Sequence, residues 1–193
     1  RAADEATSEF LASEDNWSRF TQARTGPDGC LYVVDFYRLI LEHPEWIPQQ
    51  MIGTLDLRAG SERGRIYRIR PGATRPRPTL PLPTLDDEAL FQQLESPNGW
   101  TRDTAQRLLI ERQATVRRDS LTGSPVARIQ QLWTLHTLGT LQTTLLLDVL
   151  SDANATLREH AVRLAESRLG EDPILAKVLD LAKDPDLRVR VQV

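Results

Sequence analysis

"GPDGCLYVVDFYRLILEHPEWIP", residues 26–48, decides how the first third of the chain is read. It opens on a tight-turn signal, in which Pro27 presets φ and Gly29 supplies a positive φ at little cost. "CLYVVDF" follows, rich in β-branched and aromatic residues, and reads as a strand. Its near-continuous apolarity suggests burial on both faces. With "FTQART" before the turn, the stretch forms a hairpin, and "GRIYRI" at 64–69 reads as a further short strand. Between the last two strands, residues 36–63 form a long excursion, in which "PEWIPQQMIGTL" has room for one or two helical turns. An excursion of that length in a compact domain is usually functional or carries its own helix. So small a sheet is marginal in water and needs neighbours, as a propeller blade would have.

Residues 71–84, "PGATRPRPTLPLPT", contain five prolines, which excludes helix and reads as a semi-rigid linker. Beyond it the apolar period changes from two to 3.6. Acids open the first helical segment at "LDDEALFQQLES", and further segments fall near 97–112, 125–138, 142–150, 154–169 and 173–183. The breaks "SPNG", "TGSP", "SDAN", "GEDP" and "KDPD" carry helix-start signals. Four segments, "WTRDTAQRLL", "VARIQQLWTL", "TLREHAVRLA" and "DLRVRVQV", align with Arg102, Arg128, Arg158 and Arg188 in one slot. The pattern reads as a repeated helix pair of HEAT type, and the arginines as structural, with Arg158–Asp152 and Arg188–Asp184 as expected pairs.

Net charge is −3, so no global attraction to nucleic acid or to a membrane surface is expected. The charge is uneven: residues 1–57 hold ten acids and four arginines, whereas residues 58–77 hold seven arginines and Glu62. The arginine cluster could bind a polyanion, but it also answers the acidic front half. Cys30 is the single cysteine, which excludes an intrachain disulfide and a Cys-based zinc or c-type haem site; a small buried apolar role suits it. The three histidines never approach metal-ligand spacing, so no metal site is expected. His136 beside Trp133 reads as a packing residue and His160 as a surface or interhelical one. The chain begins without Met and stops at "LRVRVQV" inside an apparent helix, which reads as a piece of a longer protein.

Asp35, Tyr37, Arg38, Glu42, His43, Glu45 and Trp46 crowd the start of the excursion. A histidine or a carboxylate can act as a general base, which makes His43 and Asp35 the candidate catalytic groups. Trp46 could stack on a sugar face, with Tyr37, Arg38 and Glu45 as further substrate-binding candidates. The structural alternative is an Asp35–Arg38 pair and a turn shaped by His43 and Pro44.

"EFLASEDNW", "GPDGCLYVVDFYR", "LEHPEWIP", "DLRAG" and "RGRIYRI", then the Pro-rich linker, "LWTLH" and "REHAVRLAE", occur in this order. The series resembles the membrane-bound dehydrogenase family of planctomycete-type (PVC) bacteria. There, a β-propeller similar to soluble quinoprotein glucose dehydrogenase precedes HEAT repeats, and a haem-binding cytochrome c module commonly follows. The resemblance implies an α+β multidomain fragment. Residues 1–72 would be a terminal propeller blade with the long loop insertion 36–63, residues 73–84 a linker, and residues 85–193 an all-α HEAT-like solenoid. It implies an extracytoplasmic, periplasmic quinoprotein-like dehydrogenase that oxidises sugars or alcohols and passes electrons to a cytochrome c. Pyrroloquinoline quinone, calcium and haem c would belong to the longer protein, as would any membrane association. This fragment would be catalytically silent and bind no cofactor itself. Its partners would be the remaining blades, the cytochrome module and a protein on the HEAT surface. Two departures stand out: "NWSRFTQA" replaces the family's apolar residue and proline near Arg19, and no Cys-x-x-Cys-His occurs. The other reading is a non-enzymatic HEAT-repeat and propeller scaffold for protein–protein interaction.

Overall fold

The structure, a computed structural model, describes residues 9–70, 72, 75 and 78–193. Residues 73, 74, 76 and 77 of the expected linker, and residues 1–8 and 71 of the expected blade, lie outside the described residues. The chain divides into two compact units, Arg1–Pro78 and Thr79–Val193.

The first unit is built on a three-stranded antiparallel sheet: β1 (Phe20–Thr25), β2 (Leu31–Asp35) and β3 (Arg65–Ile69), in that order. The turn between β1 and β2 forms as its residues dictate. The Gly29 amide donates to the Gly26 carbonyl at 3.0 Å, and Gly29 takes φ +78°. Asp28 fixes the turn from inside: it accepts from the Cys30 amide and from the Tyr32 hydroxyl, each at 3.0 Å, and pairs with Arg68 of β3. Gly26 is required by close approach, since a Cβ there would lie 2.3 Å from the Tyr32 ring. The register runs Thr25↔Leu31 to Phe20↔Asp35 on one side of β2, with an irregularity between Phe20 and Gln22. It runs Leu31↔Ile69 to Asp35↔Arg65 on the other. Cys30 and Val33 are buried, while Leu31, Tyr32 and Val34 are half-buried, so β2 is less enclosed than its apolarity suggests.

The excursion from β2 to β3 carries one 3-10 turn at Pro44–Trp46 and a short helix α1 (Gln49–Ile52). Pro44 is a good first residue for such a turn because its missing N–H would have had no partner there.

The second unit holds α2 (Asp87–Gln92), α3 (Gly99–Glu111), α4 (Pro125–Thr137), α5 (Thr143–Leu150), α6 (Ala155–Ala165), α7 (Asp172–Asp180) and α8 (Leu187–Gln192). Most starts are capped by side chains: Asp86, Asn98, Ser124, Asn154 and Asp186 each accept an amide of the first turn. A leucine-rich core runs through Leu82, Leu90, Leu94, Leu109, Leu132, Leu135, Leu146, Leu150, Leu157, Ile174 and Val189. The non-helical stretch between α3 and α4 is pinned to this core by buried Gln131. Its side chain accepts from the Thr122 amide at 3.0 Å and donates to the Thr122 carbonyl at 3.2 Å.

The expected fold class is corrected here. A propeller blade has four strands; this sheet has three, no fourth pairs with it among the described residues, and β1 is exposed along its whole length. A HEAT-like solenoid repeats a helix pair at a fixed period. Here residues 112–124 hold no helix, so α4 has no partner helix before it. The helices are also of unequal length, from thirteen residues in α4 to six in α2. The molecule is mostly helical, with one small antiparallel sheet.

Candidate functional site

Asp35, the last residue of β2, is only 1% exposed, and four donors converge on it. Oδ1 accepts from the Arg19 amide at 2.7 Å and the Tyr37 amide at 3.1 Å. Oδ2 accepts from the Ser18 hydroxyl at 2.9 Å and from Arg65 Nε at 3.1 Å. Burial pushes the carboxyl up, but the bonds from Arg19, Ser18, Arg65 and Tyr37 outweigh it and hold the group below the ordinary carboxylate value. Asp35 is therefore ionised and fully engaged, tying the segment before β1 to the ends of β2 and β3.

Tyr37 completes this knot. It takes φ +49°, unusual for a residue with a side chain. The Trp17 ring lies 5.9 Å away, and the Arg65 guanidinium sits 4.3 Å above the Tyr37 ring. Gly60, at φ +89°, closes the far side; a Cβ there would come within 2.8 Å of the Tyr37 carbonyl oxygen. Arg38 does not reach Asp35 in the expected pair. Its Nη1 donates to the Tyr37 carbonyl at 3.1 Å, and its guanidinium lies 4.6 Å from the centre of the Phe36 ring. The partner of Asp35 is Arg65, from the arginine-rich stretch whose expected role was to answer the acidic front half.

His43 and Glu45 lie further along, on the exposed 3-10 turn. His43 Nδ1 accepts from the Glu45 amide at 3.4 Å and lies 4.0 Å from Glu45 Oε2, so the imidazole serves as the cap of its own turn. Trp46 is 82% exposed. Beside it, Leu39, Ile40, Ile47, Met51 and Leu55 line an open cleft of about 360 Å³, with Glu42 at its edge. The structure thus gathers Asp35, Tyr37 and Arg38 into the base of the excursion, and Glu42, Glu45 and Trp46 around its exposed tip. Among the described residues no cluster of histidine, cysteine and carboxylate side chains could hold a metal ion. No described helix is long and apolar enough to cross a membrane.

The repeated arginines are structural, with one change of register. Arg102 Nη1 donates to the Ser96 carbonyl at 2.7 Å, and Arg158 Nη1 to the Asp152 carbonyl at 2.7 Å. The residue that does this at α8 is Arg190, whose Nη1 donates to the Asp184 carbonyl at 2.6 Å. Arg188 reaches only Asp186, at 3.5 Å, so the expected Arg188–Asp184 pair does not form. The expected Arg158–Asp152 contact is made through the backbone carbonyl, while the Asp152 carboxylate takes Arg128 and the Asp184 carboxylate takes Arg158. The helix-cap positions carry the missed signal. Arg102, Arg128, Arg158 and Arg190 each stand four residues after Asn98, Ser124, Asn154 and Asp186.

His160 accepts from Trp133 Nε1 at 3.1 Å through Nδ1, which links α6 to α4. Burial, and then Arg163, hold its pKa below 6.5.

Residues 1–73 match a family model described as a domain of unknown function, DUF7133, which covers the sheet and its excursion. No curated protein and no solved structure matches the chain.

Proposed function

We propose that this chain is a non-catalytic binding module whose sheet unit recognises a basic, apolar protein segment through the Trp46 cleft. The carrying observation is Trp46 itself. It is a large aromatic ring left 82% exposed at the rim of an apolar cleft, in an excursion whose base carries a buried polar knot. Ordering such a ring in solvent gains nothing for folding, whereas exposed aromatics beside aliphatic side chains are the usual anchors of protein interfaces. Charge indicates the partner. Glu42 borders the cleft and Glu45 precedes Trp46, both exposed, while Arg38 is turned back over Phe36 and the exposed Arg58 stands beyond the cleft in the turn with Asp56. A segment that pairs Leu, Phe or Trp with Lys or Arg meets both features.

The catalytic reading finds less support here. A general base needs a free lone pair, and all four contacts of Asp35 are structural. Sugar or alcohol oxidation stays a proposal for a longer protein, resting on the resemblance.

The test is selection from a random peptide library displayed on phage, against the whole chain. Enrichment of Lys/Arg next to aromatic or aliphatic residues, lost when selection is repeated on W46A, supports the reading. Enrichment of acidic sequences, or of the same sequences on W46A, contradicts it.

A further inference from the structure

Among the described residues that line the Trp46 cleft, Glu42 is the one charged side chain; the others, from Leu39 to Leu55, are apolar. Its carboxylate is aimed by the backbone. Oε2 accepts from the Leu41 amide at 3.1 Å. The amides of Glu42 itself and of Leu41 hold the carboxyl below its ordinary value of 4.5, so Glu42 is ionised at neutral pH.

The cation that acts on this carboxylate is Arg19, and only weakly. Its guanidinium is engaged by the backbone: Nη1 donates to the Asn16 and Ser18 carbonyls, and Nη2 faces the Leu39 carbonyl at 3.5 Å. Glu42 forms no ion pair among the described residues. Glu45 is placed differently. It is not part of the cleft lining, and its Oε2 lies 4.0 Å from His43 Nδ1. The tip thus holds one carboxylate fixed against an apolar wall and one outside it.

We propose, resting on the reading of the Trp46 cleft as a peptide site, that Glu42 is its specificity residue. Glu42 takes the Lys or Arg of the bound segment at the wall of the cleft, while Trp46 and its aliphatic neighbours take the adjoining apolar residue. Because the Leu41 amide already orients the carboxylate, the ion pair forms with little further ordering on this side. A charge so exposed acts mainly on the choice of partner and on the rate of encounter.

The experiment repeats the selection of phage-displayed random peptides on the whole chain and on its W46A, E42Q, E42K and E62Q variants. E42Q removes the charge but keeps an oxygen that can accept the Leu41 amide, so the local turn is preserved. On E42Q the enriched sequences should keep their aromatic or aliphatic residue and lose the excess of Lys and Arg. On E42K, Asp or Glu should take that place. E62Q makes the same change of net charge at an exposed position outside the cleft, and should still select Lys and Arg. A basic peptide selected on the parent should bind E42Q about threefold more weakly at low salt, with the difference disappearing near 1 M salt. Equal enrichment of Lys and Arg on E42Q and the parent, or their loss on E62Q as well, overturns the proposal. Loss of the parent's sequences on W46A, with Lys and Arg persisting on E42Q, refutes the role of Glu42 alone. Survival of the parent's sequences on W46A refutes the cleft as the binding site, and the role of Glu42 with it.

Discussion

Arg158 and Asp184 form a two-point ion pair that joins the start of α6 to the turn before α8, with Nε–Oδ2 at 2.7 Å and Nη2–Oδ1 at 2.8 Å. The remaining guanidinium nitrogen, Nη1, donates to the Asp152 carbonyl, so one side chain fixes two turns at once. Both partners are largely withdrawn from water. Removing one leaves the other charge without its partner, so R158A should cost about 3 kcal/mol in denaturant unfolding. R158K should recover only part of this, because an ammonium cannot reproduce the fork. A cost below about 0.5 kcal/mol, the range of an ordinary surface substitution, would refute the structural assignment.

Acid should reveal the same pair. The bonds from Arg158 hold the Asp184 carboxyl below its ordinary value of 3.8, against the opposing effect of burial. Its contribution is therefore complete above pH 3.8 and disappears as pH falls through the lower folded-state value. D184N should be less stable than the parent at neutral pH, and the difference should shrink as pH falls below about 4. An undiminished difference at pH 2 would contradict this.

Arg190 and Arg188 separate two registers of one sequence pattern. R190A should destabilise the helical unit by about 1 kcal/mol, because two turn carbonyls lose their donor. R188A should stay within about 0.5 kcal/mol, since its one contact is long and exposed. The reverse order would restore the even spacing of the sequence alignment.

Gly60 and Gly53 test the knot at the base of the excursion. G60A forces a positive φ on a residue with a Cβ, and that Cβ lies 2.8 Å from the Tyr37 carbonyl oxygen. It should cost the sheet unit about 2 kcal/mol. Gly53 has φ −72° and open space around it, so G53A should be neutral or slightly stabilising. Equal melting of the two variants would show that the knot is looser than described.

His160 gives a local reporter. Burial and Arg163 lower its pKa below 6.5, while Glu159 opposes them. The imidazole accepts from Trp133, so protonating Nδ1 ends that bond. Stability from this contact is complete above pH 6.5 and declines as pH falls toward the folded-state value. Imidazole proton shifts followed by NMR should titrate below 6.5, and R163Q should move them upward. A midpoint above 6.5 would contradict the geometry.

The hairpin was legible because its signal is local: Pro27, Asp28 and Gly29 specify the turn, and β2 follows from its own residues. The helices were legible from their period and their caps. The propeller blade, inferred from the sheet's need for neighbours, was wrong: a fourth strand is a long-range partner that local pattern cannot supply, and none pairs with the sheet among the described residues. The helical array misled for a related reason. Four similar second helices are visible in the sequence, but the gap at 112–124 is recognised as irregular only when Gln131 is seen bonding to Thr122. At α8 the sequence offers two aspartates, Asp184 and Asp186, and two arginines, Arg188 and Arg190. Choosing the cap chooses the arginine, and even spacing chose the other. At the candidate site, Trp46 was visible as an aromatic in a long loop. The engagement of Asp35 was not, because its donors come from Ser18, Arg19, Tyr37 and Arg65, spread over the whole unit.

The most direct test of the binding-module account is titration of the whole chain, and of W46A, with a basic, apolar peptide recovered by selection. Trp46 makes no structural contact that would unfold the unit on removal, so W46A should keep its melting temperature and circular dichroism. Its affinity should fall at least about tenfold, as for loss of an aromatic anchor. Equal affinity of the two proteins for the peptide would contradict the account.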